Sequence, residues 1–459
     1  MTLLRFLTLA LLVCCGHAEA TLTRGALDAK VDALVTEGEE HPAQAIAALT
    51  QLQREHGSTI DERRMLLLAL GSVEAMAGRA AQAAAFAELL LTLAADDASG
   101  RALAASNLVR ADIAYVAGQH DLAAALAQSA LPAFMAGCAP PSGSAASQPP
   151  APAATCDYRP AWHALELLEL RARAKGLPAA QATHARTALG LAEAAGDLAR
   201  QARNLSSLAQ LAQARGEHDT ARQFMARARR LVQQGNEPAE RARFYNADAG
   251  LAEIRGDSQA ALQARQAALA AAVLADAPRL EARMLNNLSD AYSRLGRPAD
   301  ALRAAERAMP IVRRHNDVRV ERLLIVNIGI AKIRLGRIAE GKQDLARVLE
   351  LWHQSGETGF EVETLVDFGE ALAVAGDARG AVELFHRERA LSAELMQRNR
   401  SVALKELQTR NEAQARQRDI ELLGRDNALK TEALATRDLT QRIWWALAAV
   451  MALAIAVAR

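Results

Sequence analysis

Apolar positions in this chain follow a three-and-four rhythm that glycine interrupts at fixed intervals. Leu285, Leu288, Ala291 and Tyr292 keep the rhythm up to Gly296, and Ala301, Ala305 and Ala308 resume it beyond. Side chains at that spacing share one face of an α-helix. A glycine between two such faces reads as a turn, because helices commonly end on a left-handed residue that glycine adopts most cheaply. The unit recurs at Gly38, Gly78, Gly118, Gly176, Gly216, Gly256, Gly296, Gly336 and Gly376, always 40 residues apart except for 58 between Gly118 and Gly176. Alanine stands five residues after most of these glycines, at Ala83, Ala123, Ala221, Ala261, Ala301 and Ala381, and Gly341 fills the slot after Gly336. A small residue there lets two helices approach closely. A fixed period of this size predicts an all-α fold, an α-solenoid of helical hairpins over residues 21–137 and 157–390. Gly38, beside His41 and Pro42, reads as an N-terminal cap repeat.

The longer interval holds an insertion. Residues 138–156 run from Cys138 to Cys156 through proline, serine and alanine, a composition that supports neither helix nor core. Its cysteines gain meaning from residues 1–20, which read as a signal peptide: Arg5, an apolar run from Leu7 to Cys15, and Ala18-Glu19-Ala20 as a cleavage site. A lipoprotein signal ending at Cys14 or Cys15 is the rival reading, although the residues before them fit it poorly. With the signal removed, Cys138 and Cys156 are the two cysteines left, and an exported chain is expected to join them in a disulfide. A two-cysteine metal site is the alternative, but no histidine or cysteine lies at ligand spacing.

The rhythm stops after residue 390. Residues 391–442 are dense in charge, with Leu391, Leu395, Val402, Leu422 and Leu429 on 3.5-type spacing. They predict one long charged helix. Two forms fit it, a coiled coil that makes a homodimer and a solvated single helix. Residues 443–458 are apolar throughout and read as a transmembrane helix, with Trp444 and Trp445 at its interface. Sixteen residues span about 24 Å, short of the ~30 Å hydrocarbon core. Signal and span together predict a single-pass inner-membrane protein with a periplasmic solenoid and a cytoplasmic C-terminus. A span ending at the membrane exit also suggests a piece of a longer chain.

Composition narrows the chemistry. The 459 residues are 51% hydrophobic but only 3% aromatic, so the apolar content is chiefly alanine and leucine, which favours close-packed helices. A net charge of +1 gives no footprint for nucleic acid. Gly336 to Lys342 approaches a phosphate-binding loop but ends in Gln343 where serine or threonine is needed. Neither a zinc-protease helix nor a serine-nucleophile elbow occurs. No enzyme activity and no cofactor is therefore expected.

The stretch Leu285-Asn-Asn-Leu-Ser-x-x-Tyr, with Gly296 and Ala301 after it, resembles the tetratricopeptide repeat. Ile325-Val-Asn-Ile-Gly329 and Phe368-Gly369 echo the same helix. The 40-residue period resembles the longer-helix variety found in bacterial signalling proteins. The resemblance implies that the first helices of the hairpins line a concave face. Carried residue by residue, it places Arg203, Arg243, Asn246, Arg283, Asn286, Asp290 and Arg294 there, where they could hold a protein or peptide ligand. An ordinary solvated helix face is the plainer account of the same residues. The segment 418–430 with Gln441 to Trp445 resembles the join in bacterial membrane receptors whose exported tetratricopeptide sensor drives a GGDEF diguanylate cyclase or a histidine kinase. The implied function is the non-catalytic sensing half of such a receptor. A self-contained, tail-anchored periplasmic scaffold or assembly factor is the alternative.

Overall fold

The computed structural model describes residues 24–138, 156–355 and 357–458. The signal segment 1–20 and the interior of the 138–156 insertion lie outside the described residues. The chain divides into two units, Met1–Ala381 and Val382–Arg459.

The first unit is a helical solenoid. Its helices pair as hairpins: α1 (Arg24–Gly38) with α2 (Pro42–Glu55), α3 (Ile60–Met76) with α4 (Ala80–Leu93), and α5 (Arg101–Val116) with α6 (His120–Met135). After the insertion come α7 (Tyr158–Ala174) with α8 (Pro178–Ala195), α9 (Leu198–Ala214) with α10 (His218–Gly235), and α11 (Pro238–Ile254) with α12 (Ser258–Leu274). Then α13 (Pro278–Arg294) pairs with α14 (Pro298–Arg314) and α15 (Val318–Arg334) with α16 (Ile338–Ser355). Last, α17 (Thr358–Val374) is followed by α18 (Ala378–Ala458).

Two beats punctuate the stack. The glycine beat turns each hairpin, as at Gly296 with φ of 68°. A second 40-residue beat joins successive hairpins, at Gly196, Asn236, Asp276 and Asn316, all left-handed with φ of 50–68°. Asparagine and aspartate enter that region because their short polar side chains bond locally. Helix starts follow both beats, with Asp197 and Asp317 just after the second and Asp257 just after the glycine beat. Asp197, Asp257 and Asp317 each accept a backbone N–H of the first turn, and Thr59 forms a reciprocal capping box with Glu62.

Small residues set the helix crossings. Ala83 and Ala301 are fully buried, whereas Ala299 two positions earlier is exposed. A Cβ on Gly341 would stand 2.7 Å from the carbonyl oxygen of Gly329, closer than any side chain tolerates. The insertion is closed at its base by a Cys138–Cys156 disulfide with its Cα atoms 4.5 Å apart. Both cysteines pack on the apolar cluster that runs from α3 to α8.

The second unit is the remainder of α18. Ile420, Leu422 and Leu423 are exposed along it, and Glu412–Arg416 and Asp426–Lys430 form i,i+4 ion pairs. Here one expectation is corrected. Among the described residues no helix is long and apolar enough to cross a membrane. Residues 443–458 are the end of an 81-residue helix whose preceding stretch is charged. Their sixteen residues fall short of the hydrocarbon thickness. The single-pass inner-membrane placement and the membrane anchor are therefore withdrawn.

Candidate functional site

The 40-residue period puts equivalent positions of α7, α9, α11 and α13 in one column. That column reads His163, Arg203, Arg243 and Arg283. All four line a cavity of about 370 Å³. Opposite them stand aliphatic side chains of α1 and α3, among them Val31, Val35, Met65 and Leu68. The cavity exists because the solenoid winds back on itself, which brings the first hairpin across the later ones.

Ion pairs mark that closure. Asp28 and Asp32 of α1 meet Arg159 of α7, and Asp32 also binds Arg200 of α9 in a two-pronged contact of 2.6 and 2.9 Å. Glu39 accepts from Arg243 of α11 at 2.6 Å. The buried Glu40 carboxylate takes the backbone N–H groups of Arg279 and Leu280 at 2.7 and 3.2 Å. Those amides are the first free donors of α13, so a carboxylate sits on a helix N-terminus, the end that favours negative charge. Burial and the neighbouring Arg200 push the Arg159 guanidinium down to about 10. Burial also works against charge on Arg200, but Asp32 and Asp197 outweigh it and hold the proton firmly.

Within the column, Arg203 grips Glu240 with two nitrogens, at 3.0 and 2.5 Å, and Arg243 shares that carboxylate at 2.8 Å. Arg283 is different. It is exposed, and among the described residues no carboxylate pairs with it. His163 donates to Asp112 at 2.6 Å, and Ser72 donates to the other oxygen of the same carboxylate at 2.7 Å. Burial would lower the imidazole, but the Asp112 charge and hydrogen bond prevail and raise it to about 10. The serine therefore gives its proton to a carboxylate, not to the imidazole, and no activated nucleophile results.

The remaining expected residues lie further along the solenoid. Asn327 donates to Asn286 at 3.1 Å and Asn287 to Asn246 at 2.8 Å, an amide ladder from hairpin to hairpin. Asp290 pairs with Arg294 on its own helix at 3.1 Å. Beyond them the charge reverses. Asp367 of α17 is raised to about 6 by lost hydration and by the carboxylates of Asp290, Glu370 and Glu363. Thus the structure brings Arg203, Arg243 and Arg283 to the cavity, while Asn246, Asn286, Asp290 and Arg294 lie outside its lining.

Sequence reasoning missed the carboxylates of the first hairpin and Arg159 and Arg200. Asp28 and Asp32 were visible as an i,i+4 acidic pair, but nothing local shows which later helix they face. Ser72 and Asp112 do stand one period apart, a signal that could have linked them.

No protein-family model matches the chain, and no curated protein matches it in sequence. Solved structures do match in fold. A Rap protein complexed with competence and sporulation factor superposes with a TM-score of 0.56 at 14% identity, over 81% of this chain and 99% of that one. The Rap conjugation gene regulator of plasmid pLS20, in complex with the Phr* peptide, gives 0.52 at 12% identity, over 81% and 96%. Aspartyl phosphate phosphatase F from Bacillus subtilis gives 0.50 at 11% identity, over 81% and 95%. At such identity the likeness is one of fold. The chain has a tetratricopeptide-like helical-repeat fold.

Proposed function

We propose that this chain is a non-catalytic recognition element that binds an acidic segment of a peptide or partner protein inside the solenoid. The observation that carries this reading is the arginine column. Arg203 and Arg243 are already engaged by carboxylates of the chain itself, which supports an acidic ligand, and Arg283 is left open to a further one. Two of the fold relatives were solved with a factor or peptide bound, which supports the reading by analogy of fold.

The test is fluorescence anisotropy with a labelled glutamate-rich amphipathic peptide and a lysine-rich one of equal length. The acidic peptide should bind, and its affinity should fall with salt. Arg283→Glu should weaken it by about tenfold, the scale of one charge contact, without lowering Tm. Arg222→Glu, on the exposed face of α10, should change nothing. Equal binding of the basic peptide, or indifference to Arg283→Glu, would refute the reading.

A further inference from the structure

The first hairpin is held in two chemically different ways. Against its sequence neighbours it is held by apolar packing: Leu27 and Val31 of α1 share a buried cluster with Leu49 of α2 and Leu66, Leu70 and Val73 of α3. That cluster contains no residue of α7, α9, α11 or α13. Across the seam to those four helices the identified bonds are polar. Asp28, Asp32, Glu39 and Glu40 reach one helix after another, and His41 adds a ring nitrogen 2.9 Å from the carbonyl of Asp276. Apolar packing carries no charge for salt to screen, whereas the ion pairs of the seam are weakened by it, though less than fully exposed pairs would be because they are partly buried. The seam can therefore open while the stack stays whole, as a one-dimensional array of neighbour contacts allows.

Removing these carboxylates would leave Arg159, Arg200, Arg243 and Arg283 facing the cavity, with Asp197 still paired to Arg200, Glu240 still paired to Arg243, and Asp112, Asp157 and Glu166 in the same lining. We propose that the four carboxylates form a latch in cis, in which Asp28, Asp32 and Glu39 occupy Arg159, Arg200 and Arg243 at the cavity and Glu40 occupies the N-terminus of α13, and that the binding partner is an acidic amphipathic segment that displaces them. The segment presents carboxylates to Arg159, Arg200 and Arg243 and aliphatic side chains to the wall of Val35, Met65 and Leu68. This rests on the function proposed above and adds the competitor that governs it.

The probe is a fluorescein-labelled peptide of the chain's own residues 24–40, whose carboxylates already have the right spacing. It is titrated into the full chain and into its Asp32→Asn/Glu39→Gln variant. Opening the latch should raise affinity for the peptide about tenfold, and adding Arg243→Glu should abolish the gain. Hydrogen exchange of the unmodified chain supplies a measurement independent of any variant's folding. Raising NaCl from about 50 to about 500 mM should speed exchange at the amides of Arg279 and Leu280 several-fold and leave residues 66–73 unchanged. Equal peptide affinity for both chains, or salt-indifferent exchange at 279–280, would show the first hairpin to be permanent architecture and overturn the proposal. If acidic peptides bind with sensitivity to Arg283 but the latch variant gains nothing, the latch fails and the proposed function stands. If the seam opens in salt and no acidic peptide binds, the proposed function falls and the displacing partner falls with it.

Discussion

The two ends of the solenoid's inner face handle charge in opposite ways. From α7 to α11 the cations are matched: Arg159 and Arg200 by Asp32, Arg203 and Arg243 by Glu240, and His163 by Asp112. At α17 the crowding carboxylates are anionic neighbours of one another. Glu363, Asp367 and Glu370 have no ion pair among the described residues, and Arg294, the nearby cation, is already paired with Asp290. A matched buried charge stabilises a fold mainly by what its removal would leave behind. An unmatched one stores repulsion that a ligand or a proton can relieve. One end is thus set up to hold its shape and the other to respond.

The largest effect should come from breaking the best-buried match. Asp112→Ala removes the partner of Ser72 and the nearer partner of His163, which keeps Glu166 at 3.5 Å, and Asp112 is only 2% exposed. The cost should be about 3 kcal/mol, at the low end for a broken buried pair because imidazole can shed its proton. The pH dependence follows from the raised imidazole. Its native value of about 10 lies above the ordinary 6.5, so the stabilisation is complete below pH 6.5 and is lost as pH rises through 10. Melting curves between pH 7 and 10 should fall for the unmodified chain and stay flatter for the variant. Parallel curves would mean that the pair is not coupled to folding.

Next comes the cross-solenoid match. Asp32→Asn weakens contacts to both Arg159 and Arg200 while keeping the side-chain volume. Denaturant unfolding should show a loss of about 2 kcal/mol, the scale of hydrogen bonds to charged groups. Glu363→Gln at the other end should cost nothing. Similar losses at both positions would erase the distinction between the ends.

The difference between these ends explains what the sequence could tell. Every feature fixed by neighbours within one period was legible: the glycine turns, the buried Ala301 slot, and the helical hairpins themselves. The arginine column was legible for the same reason, since Arg203, Arg243 and Arg283 stand 40 residues apart. The latch was not. Asp32 and Arg200 are 168 residues apart, and their meeting depends on the accumulated twist of several hairpins, which no local pattern encodes. The second beat, Gly196 to Asn316, was present but hidden because three different residue types serve one left-handed position. The apolar run 443–458 misled because its unbroken apolar sequence and paired tryptophans were given more weight than its shortfall in length against the bilayer.

The smallest effect should come from the unmatched end, and its sign is reversed. Asp367 has a native value of about 6, above the unfolded ~3.9. The native state therefore holds this proton more tightly than the unfolded chain does. Its penalty is absent below pH 4, where the group is neutral in both states, grows as pH rises, and is complete above pH 6. Asp367 is open to solvent on one side, so screening keeps that penalty modest. Asp367→Asn removes the charge with almost no change of shape. Tm should rise by about one degree at pH 7.5, as expected when a small repulsion is relieved in a chain of this size, and by nothing at pH 4. Added salt should shrink the gain at pH 7.5, because the repulsion from Asp290, Glu363 and Glu370 is screened in both chains. A gain of equal size at both pH values would trace it to packing or helix propensity instead, and the crowded carboxylates of α17 would then carry no stored repulsion.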